Sequence, residues 1–286
     1  MSRASPPRIF DRNLYARRRA RAANKFAAHD FLHRRAMEDI VDRLETVTRD
    51  FPRALFIGVG GLRSLLSEAC GVSEIIEADL SAARLTPGAA GVVMDEERLA
   101  FAPQSFDLVV SLLHLHTAND LIGALVQLRR ALKPDGLLLA SVFGEETLRE
   151  MRAGLYAAEA AHSGGVSPRV APFASVRDLG AALQRAGFAL PVADLDRARV
   201  AYRTPQALID DLRGMGETNC LANRGRGLRK SAAGAAMAAL RGGDAVTFDI
   251  VTLTGWAPDE SQPKPLKPGS ATHSLAAAVR RSEEDR

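Results

Sequence analysis

The chain has 286 residues, 47% apolar and 25% charged, a globular balance that excludes a collagen-like or wholly disordered polymer. It contains no run of about 18 apolar residues and no apolar signal-type segment, which predicts neither a membrane-spanning helix nor secretion. Its two cysteines, Cys70 and Cys220, are too few for a disulfide framework and not spaced for zinc, so a reducing compartment is expected.

The net charge of +4 is uneven: residues 1–35 hold ten Arg or Lys against two Asp, leaving the arm at +8 and the rest of the chain at −4. The run "ARRRARAANKF" (16–26) admits three readings: a solvated helix face, a contact for an acidic partner or nucleic acid, and a mitochondrial presequence. It lacks interleaved aromatics for base stacking, so no nucleic-acid partner is expected, and Asp11 and Asp30 are foreign to a presequence. Peripheral contact with a membrane stays open.

Beyond the arm, Phe31, Leu32, Met37, Ile40, Val41 and Leu44 recur at helical spacing. "ALFIGVGGLRSLL" (54–66) then reads as a strand, a glycine turn and an amphipathic helix. "SEIIEADLS" (73–81) is a short strand reaching Asp79. "GVVMDEERLAF" (91–101) is another, running into Asp95 and Glu96. "SFDLVVSLLHLH" (105–116) is apolar enough for a strand buried on both faces of a parallel sheet. "DLIGALVQLRRAL" is a helix that stops at "KPDG", and "LLLASVF" (137–143) is a fifth strand. Strands alternating with helices at this spacing predict a doubly wound α/β sheet. Two later segments, 192–202 and 245–256, alternate as strands and bring the sheet to seven. The chain therefore divides into a basic arm and helix (1–48), an α/β domain (49–257) with a helical insertion at about 205–244 between the last two strands, and a proline-rich, charged tail (258–286).

This order of elements resembles the class I S-adenosylmethionine-dependent methyltransferases, with a Rossmann-like seven-stranded sheet: a glycine turn after the first strand, an acid after the second, an acid after the third, and "LRRALKPDGLLL" before the fifth. "RIFDRNL", "FDLVVSLLHLHTANDL", "GGVSPRVAPFASVRDLGAALQRAGF", "DLRGMGETNCLANR" and "GSAT" (269–272) are more specific. They resemble the NADH dehydrogenase (complex I) assembly factor 5 family over roughly residues 8–275. The malonyl-carrier-protein methyltransferases are similar at a greater distance. The closer resemblance implies a methyltransferase-like protein that modifies a protein arginine, by methyl transfer or hydroxylation, or assists complex I assembly, with a complex I subunit as partner. Since the family's opening motif begins near Arg8, a bacterial relative working in the cytoplasm is expected.

The resemblance also assigns roles. Gly58, Gly60 and Gly61 would let the backbone approach S-adenosylmethionine, where side chains would block it. Asp79 would accept the ribose hydroxyls, with an alternative as a helix-terminal acid. Asp95 and Glu96 would face the adenine, and His116 would line the cofactor or substrate pocket. Two departures stand out: Phe56 replaces an expected aspartate and Leu62 an expected glycine, so a turn that keeps its shape without its ligand is a standing alternative. A nicotinamide reading would want a third glycine where Arg63 stands. His114 and His116 would share a strand face and could ligate a metal, but edge-of-sheet polarity is the plainer reading and no metal site is assigned. In "GMGETNCLANR", Glu217 could pair with a substrate guanidinium and Asn219 could join it. Cys220 lacks an identifiable base, and no catalytic residue is assigned. The rival to an enzyme is an assembly chaperone with a degraded cofactor site.

Overall fold

The computed structural model describes residues 8–163, 165–225, 227–239 and 245–263. The "GSAT" motif at 269–272 and most of the charged tail lie outside the described residues. In chain order the elements are α1 (Arg12–Ala22), α2 (Phe31–Thr46), β1 (Phe51–Ile57), β2 (Val72–Asp79), β3 (Gly91–Val93) and β4 (Phe106–Leu112). They continue with α3 (Leu121–Ala131), β5 (Leu132–Phe143), α4 (Arg149–Ser163), α5 (Val176–Ala186), β6 (Ala189–Ala201), α6 (Pro205–Met215), α7 (Lys230–Ala239) and β7 (Ala245–Trp256).

The strands form one seven-stranded sheet in the order β3-β2-β1-β4-β5-β7-β6. Strands β1 to β5 pair in parallel, and β7 runs antiparallel to both β5 and β6. The expected α/β sheet, closed by two late strands, is therefore the observed one. Alternation along each strand divides the core between the two faces. Phe56, Val110 and Phe248 pack on one side with Leu32, Ile40 and Leu44 of α2. Leu55, Val109 and Leu138 pack on the other with Leu125, Leu128 and Leu183 of α3 and α5. Every residue of β4 is buried, as its unbroken apolar run requires.

Three local expectations are corrected. No α-helix follows the glycine turn; 3-10 turns span Gly60–Leu65 and Glu68–Cys70 instead. The segment opens on two glycines, poor helix formers, and is too short to repay helix nucleation. Strand β4 ends at Leu112, because Leu113 takes a left-handed φ of 43° and turns the chain out of the sheet. The expected third strand shrinks to Gly91–Val93, after which Asp95 accepts from the Glu97 amide and winds a 3-10 turn.

Phe56 and Leu62 are core residues, with Phe56 wholly buried. Phe56→Ala should cost about 3–5 kcal/mol in urea unfolding. Phe56→Asp should fail to fold, since its carboxylate would enter the core with no partner; a folded Phe56→Asp protein of wild-type stability would contradict this packing.

Candidate active site

The basic arm is built into the sheet's C-terminal edge. Asp11 caps α1 by accepting from the Leu14 amide at 3.0 Å. The backbone before it pairs with the loop after α6: Asp11 N donates to Cys220 O and Ala222 N donates to Ile9 O, both at 2.8 Å. One stripe of α1, formed by Arg12, Tyr15, Arg19 and Ala22, is buried. Its guanidinium groups meet the carboxylates at the ends of β2 and β3.

Arg19 grips Asp79 with Nε 3.1 Å from Oδ1 and Nη2 2.6 Å from Oδ2, and both side chains are buried. Asp79 Oδ1 also accepts from the Ser81 amide at 2.9 Å. Burial opposes ionisation of Asp79, but the charge and hydrogen bonds of Arg19 outweigh it and hold the carboxyl below its ordinary range. Arg12 donates to Asp95 Oδ1 at 2.9 Å and to Thr117 Oγ1 at 2.6 Å. It also lies 2.7 Å from Glu96, which is 2.9 Å from His114 Nδ1; both are ion-pair contacts without hydrogen-bond alignment. Burial pushes the Glu96 carboxyl up, yet His114 and Arg12 bring it down to about 2.

A second cluster forms around Glu217. Gly216 ends α6 with φ +88°, a left-handed cap that turns Glu217 inward. A Cβ on Gly216 would sit 3.3 Å from Arg19 Cα, so the same glycine admits α1 at close range. Glu217 Oε1 accepts from Tyr15 Oη at 2.8 Å, and Oε2 lies 3.0 Å from His116 Nε2. Burial again opposes ionisation, but His116 and Arg19 hold Glu217 at about 2. Burial and nearby Glu217 push the Cys220 thiol up to about 12, so it is not a thiolate nucleophile.

His114 and His116 do not share a face. The chain has left the sheet at Leu113, and residues 115–117 form a 3-10 turn. His114 points to Glu96 and His116 to Glu217. Among the described residues no cluster of three or more His, Cys, Asp or Glu could hold a metal.

A cavity of about 420 Å³ opens beside the second cluster. Of the residues expected from sequence, His116, Glu217 and Asn219 line it; Gly58, Gly60, Gly61, Asp79, Asp95 and Glu96 do not. Phe143 and Phe173 form an aromatic wall, their ring centroids 4.9 and 5.7 Å from that of His116. Asn219 is also a loop brace, donating to Pro168 O at 3.1 Å and accepting from the Leu221 amide at 2.9 Å.

The glycine turn is packed on one side only: among the described residues, nothing lies within 4 Å of a Cβ built on Gly61. A Cβ on Gly58 would meet Leu112 O at 3.0 Å, and one on Gly60 would meet Arg84 O at 2.8 Å. Those glycines admit the chain's own backbone. Asp79, Asp95 and Glu96 at the strand ends all have their charge met by α1. Arg12, Tyr15 and Arg19 were invisible to sequence reasoning as site residues; the only signal was the helical spacing of 12, 15, 19 and 22.

The fold and the cleft at the sheet's C-terminal edge define a protein of the methyltransferase class. A methyltransferase-domain family model matches residues 56–140. The YcgJ protein of Bacillus subtilis shares the fold with a TM-score of 0.51 at 15% identity, over 79% of this chain and 99% of its own. More specifically, the chain belongs to the arginine-hydroxylase NDUFAF5 family. It is 38% identical to the Homo sapiens mitochondrial member over 93% of this chain and 82% of that protein. Identity to the Danio rerio member is 37%, over 94% and 88% respectively. A malonyl-[acyl-carrier protein] O-methyltransferase of Gallionella capsiferriformans is 30% identical over 87% of this chain and 92% of its own length. Among the described residues no helix is long and apolar enough to cross a membrane.

Two predictions follow from the charge network. Arg19→Ala should cost about 3–5 kcal/mol by leaving Asp79 buried and unpaired, whereas Arg19→Leu with Asp79→Leu should recover most of that in urea unfolding. Acid stability should fall in two stages. Burial holds the His33 imidazole well below its ordinary 6.5, so its contribution is complete above 6.5 and is lost as pH falls below it. Glu96 and Glu217 contribute fully above their ordinary 4.5 and lose that contribution as pH falls toward about 2. Unfolding free energy measured against pH should lose its first stage in His33→Leu, and its slope below 4.5 should fall in Glu96→Gln to the part that Glu217 supplies.

Proposed function

We propose that this protein modifies an arginine side chain of a protein substrate, received in the cavity of about 420 Å³ against Glu217. The observation that carries the reading is that Glu217 is the one carboxylate among the described residues lining that cavity, buried and ionised at neutral pH. A carboxylate has about four acceptor positions; Tyr15 and His116 take two, and Arg19 Nη1 stands 3.7 Å from Oε1, so an entering guanidinium would share the carboxylate with Arg19. The arginine-hydroxylase name of the relatives supports the same acceptor. By the sequence resemblance the substrate is a complex I subunit, so peripheral membrane contact would follow from where that subunit sits. The reading takes the cytoplasm as the working compartment. S-adenosylmethionine, the cofactor of the wider fold class, belongs to this reading only in a state where Arg12 and Arg19 have released their acids.

A second reading rests on a different observation, the pairing of Asp79, Asp95 and Glu96 by α1. In it the protein is a non-enzymatic assembly factor whose cofactor turn is closed.

Arginine-containing peptides from complex I subunits, incubated with the protein in cell extract and read by mass spectrometry, should gain one oxygen or one methylene at arginine. Glu217→Gln should weaken peptide binding by about 2 kcal/mol, roughly thirtyfold; unchanged binding and modification would sink the assigned acceptor. Calorimetry with S-adenosylmethionine should show binding no tighter than about 1 mM unless α1 moves. Any tighter binding should be accompanied by faster hydrogen exchange of the α1 amides. Tight binding with α1 still protected would remove the need for its release, and no binding at all favours the second reading.

A further inference from the structure

Helix α1 carries two sets of basic residues that point in different directions. Arg12 and Arg19 face inward and are spent on the buried carboxylates of Glu96 and Asp79. Arg18 and Arg21 of α1, with Lys25 of the 3-10 turn that follows it (Ala23–Ala28), line a groove of about 1060 Å³ on the other side of the helix. The groove and the cavity share Arg18, Met151, Leu155, Ile209, Thr218 and Asn219, so the two are one continuous depression.

Its charge is one-sided. Arg213 of α6 also lines the groove, and Asp210 is the one acid among the described residues that does. Asp210 is already within 3.6 Å of Arg213 and accepts from Gln206. Arg21 and Lys25 are exposed and have no acidic partner among the described residues. Arg224, at the cavity end, reaches Asp11 only at 3.7 Å. Partial burial, with Arg224 and Arg21 close by, lowers the affinity of the Arg18 guanidinium for its proton. The opposite wall is apolar, formed by Met151, Leu155, Ala233, Ala236 and Met237.

We infer that this groove receives an acidic, extended segment of the protein substrate, with Asp or Glu flanking the arginine that enters the cavity. The inference rests on the proposed arginine-acceptor reading and adds the substrate's sequence class. An arginine alone would be repelled by Arg18, Arg21, Arg213 and Arg224; acidic neighbours reverse the sign of the approach. The charge argues for an anionic chain, and the lining argues for polypeptide over nucleic acid. No Phe, Tyr or Trp among the described residues lines the groove, so bases would find no stacking platform.

The test uses the full chain and fluorescence anisotropy with three labelled peptides: one arginine flanked by Asp and Glu, the same arginine flanked by Lys, and the acidic peptide with citrulline for arginine. The acidic peptide should bind about tenfold more tightly than the Lys-flanked one at low salt, a gap that narrows as salt rises. Arg21→Glu with Lys25→Glu, both exposed and outside the buried network, should abolish the gap and favour the Lys-flanked peptide. Equal affinity for both flanks, or an unaffected double variant, overturns the groove. If citrulline binds as well as arginine while the flank preference persists, the acceptor reading fails and the groove stands. A single-stranded oligonucleotide that displaces the acidic peptide at equal concentration overturns the choice of polypeptide.

Discussion

The guanidinium of Arg19 and the carboxylate of Asp79 are both withdrawn from water, and neither is tolerable there without the other. An unpaired ion in that position would cost on the order of several kcal/mol, so the pair holds α1 on the sheet edge. Docking then sets the rest. It brings Tyr15 to Glu217 and Arg12 to Asp95 and Glu96, and it lays residues 9–11 beside residues 220–222. Two parts of the chain about two hundred residues apart thus meet over one sheet, held by ionic contacts that no apolar stripe would specify.

The same pairing explains the state of the glycine turn. Glycine at 58 and 60 is required with positive φ and close approach, but the approaching atoms are Leu112 O, His114 and Arg84 O. Phe56 and Leu62, which stand where a methyltransferase would have an acid and a glycine, are packed into the core beneath. The turn keeps the backbone path of its class, with the chain's own atoms packed against Gly58 and Gly60 and open space at Gly61. Beside it lies the cavity, where Glu217 and His116 offer polar groups against an aromatic and aliphatic wall.

Much of this was legible beforehand, for identifiable reasons. Strand and helix periods are local, so the sheet elements from β1 to β5 and the late pair could be read from apolar spacing. Asp79, Asp95 and Glu96 could be placed at strand ends by the same register, and "GMGETNCLANR" could be read as a polar loop between the late strands. The helix expected after Gly61 was not formed, because amphipathic spacing says nothing about whether so short a segment can nucleate. His114 and His116 were expected on one strand face, and a single left-handed Leu113 separated them.

The sequence by itself determined the class of fold, the acids at the strand ends and the excess of positive charge in the arm, because each depends on composition or on short-range periodicity. The tertiary structure decided which arginines are buried and which face outward. Inward positions 12 and 19 look polar to any hydrophobic pattern, and their burial is explained only by carboxylates 60 and more residues away in the chain. Charge pairing at that distance leaves no local trace, since what stabilises a buried cation is the position of its partner and not its own sequence neighbours.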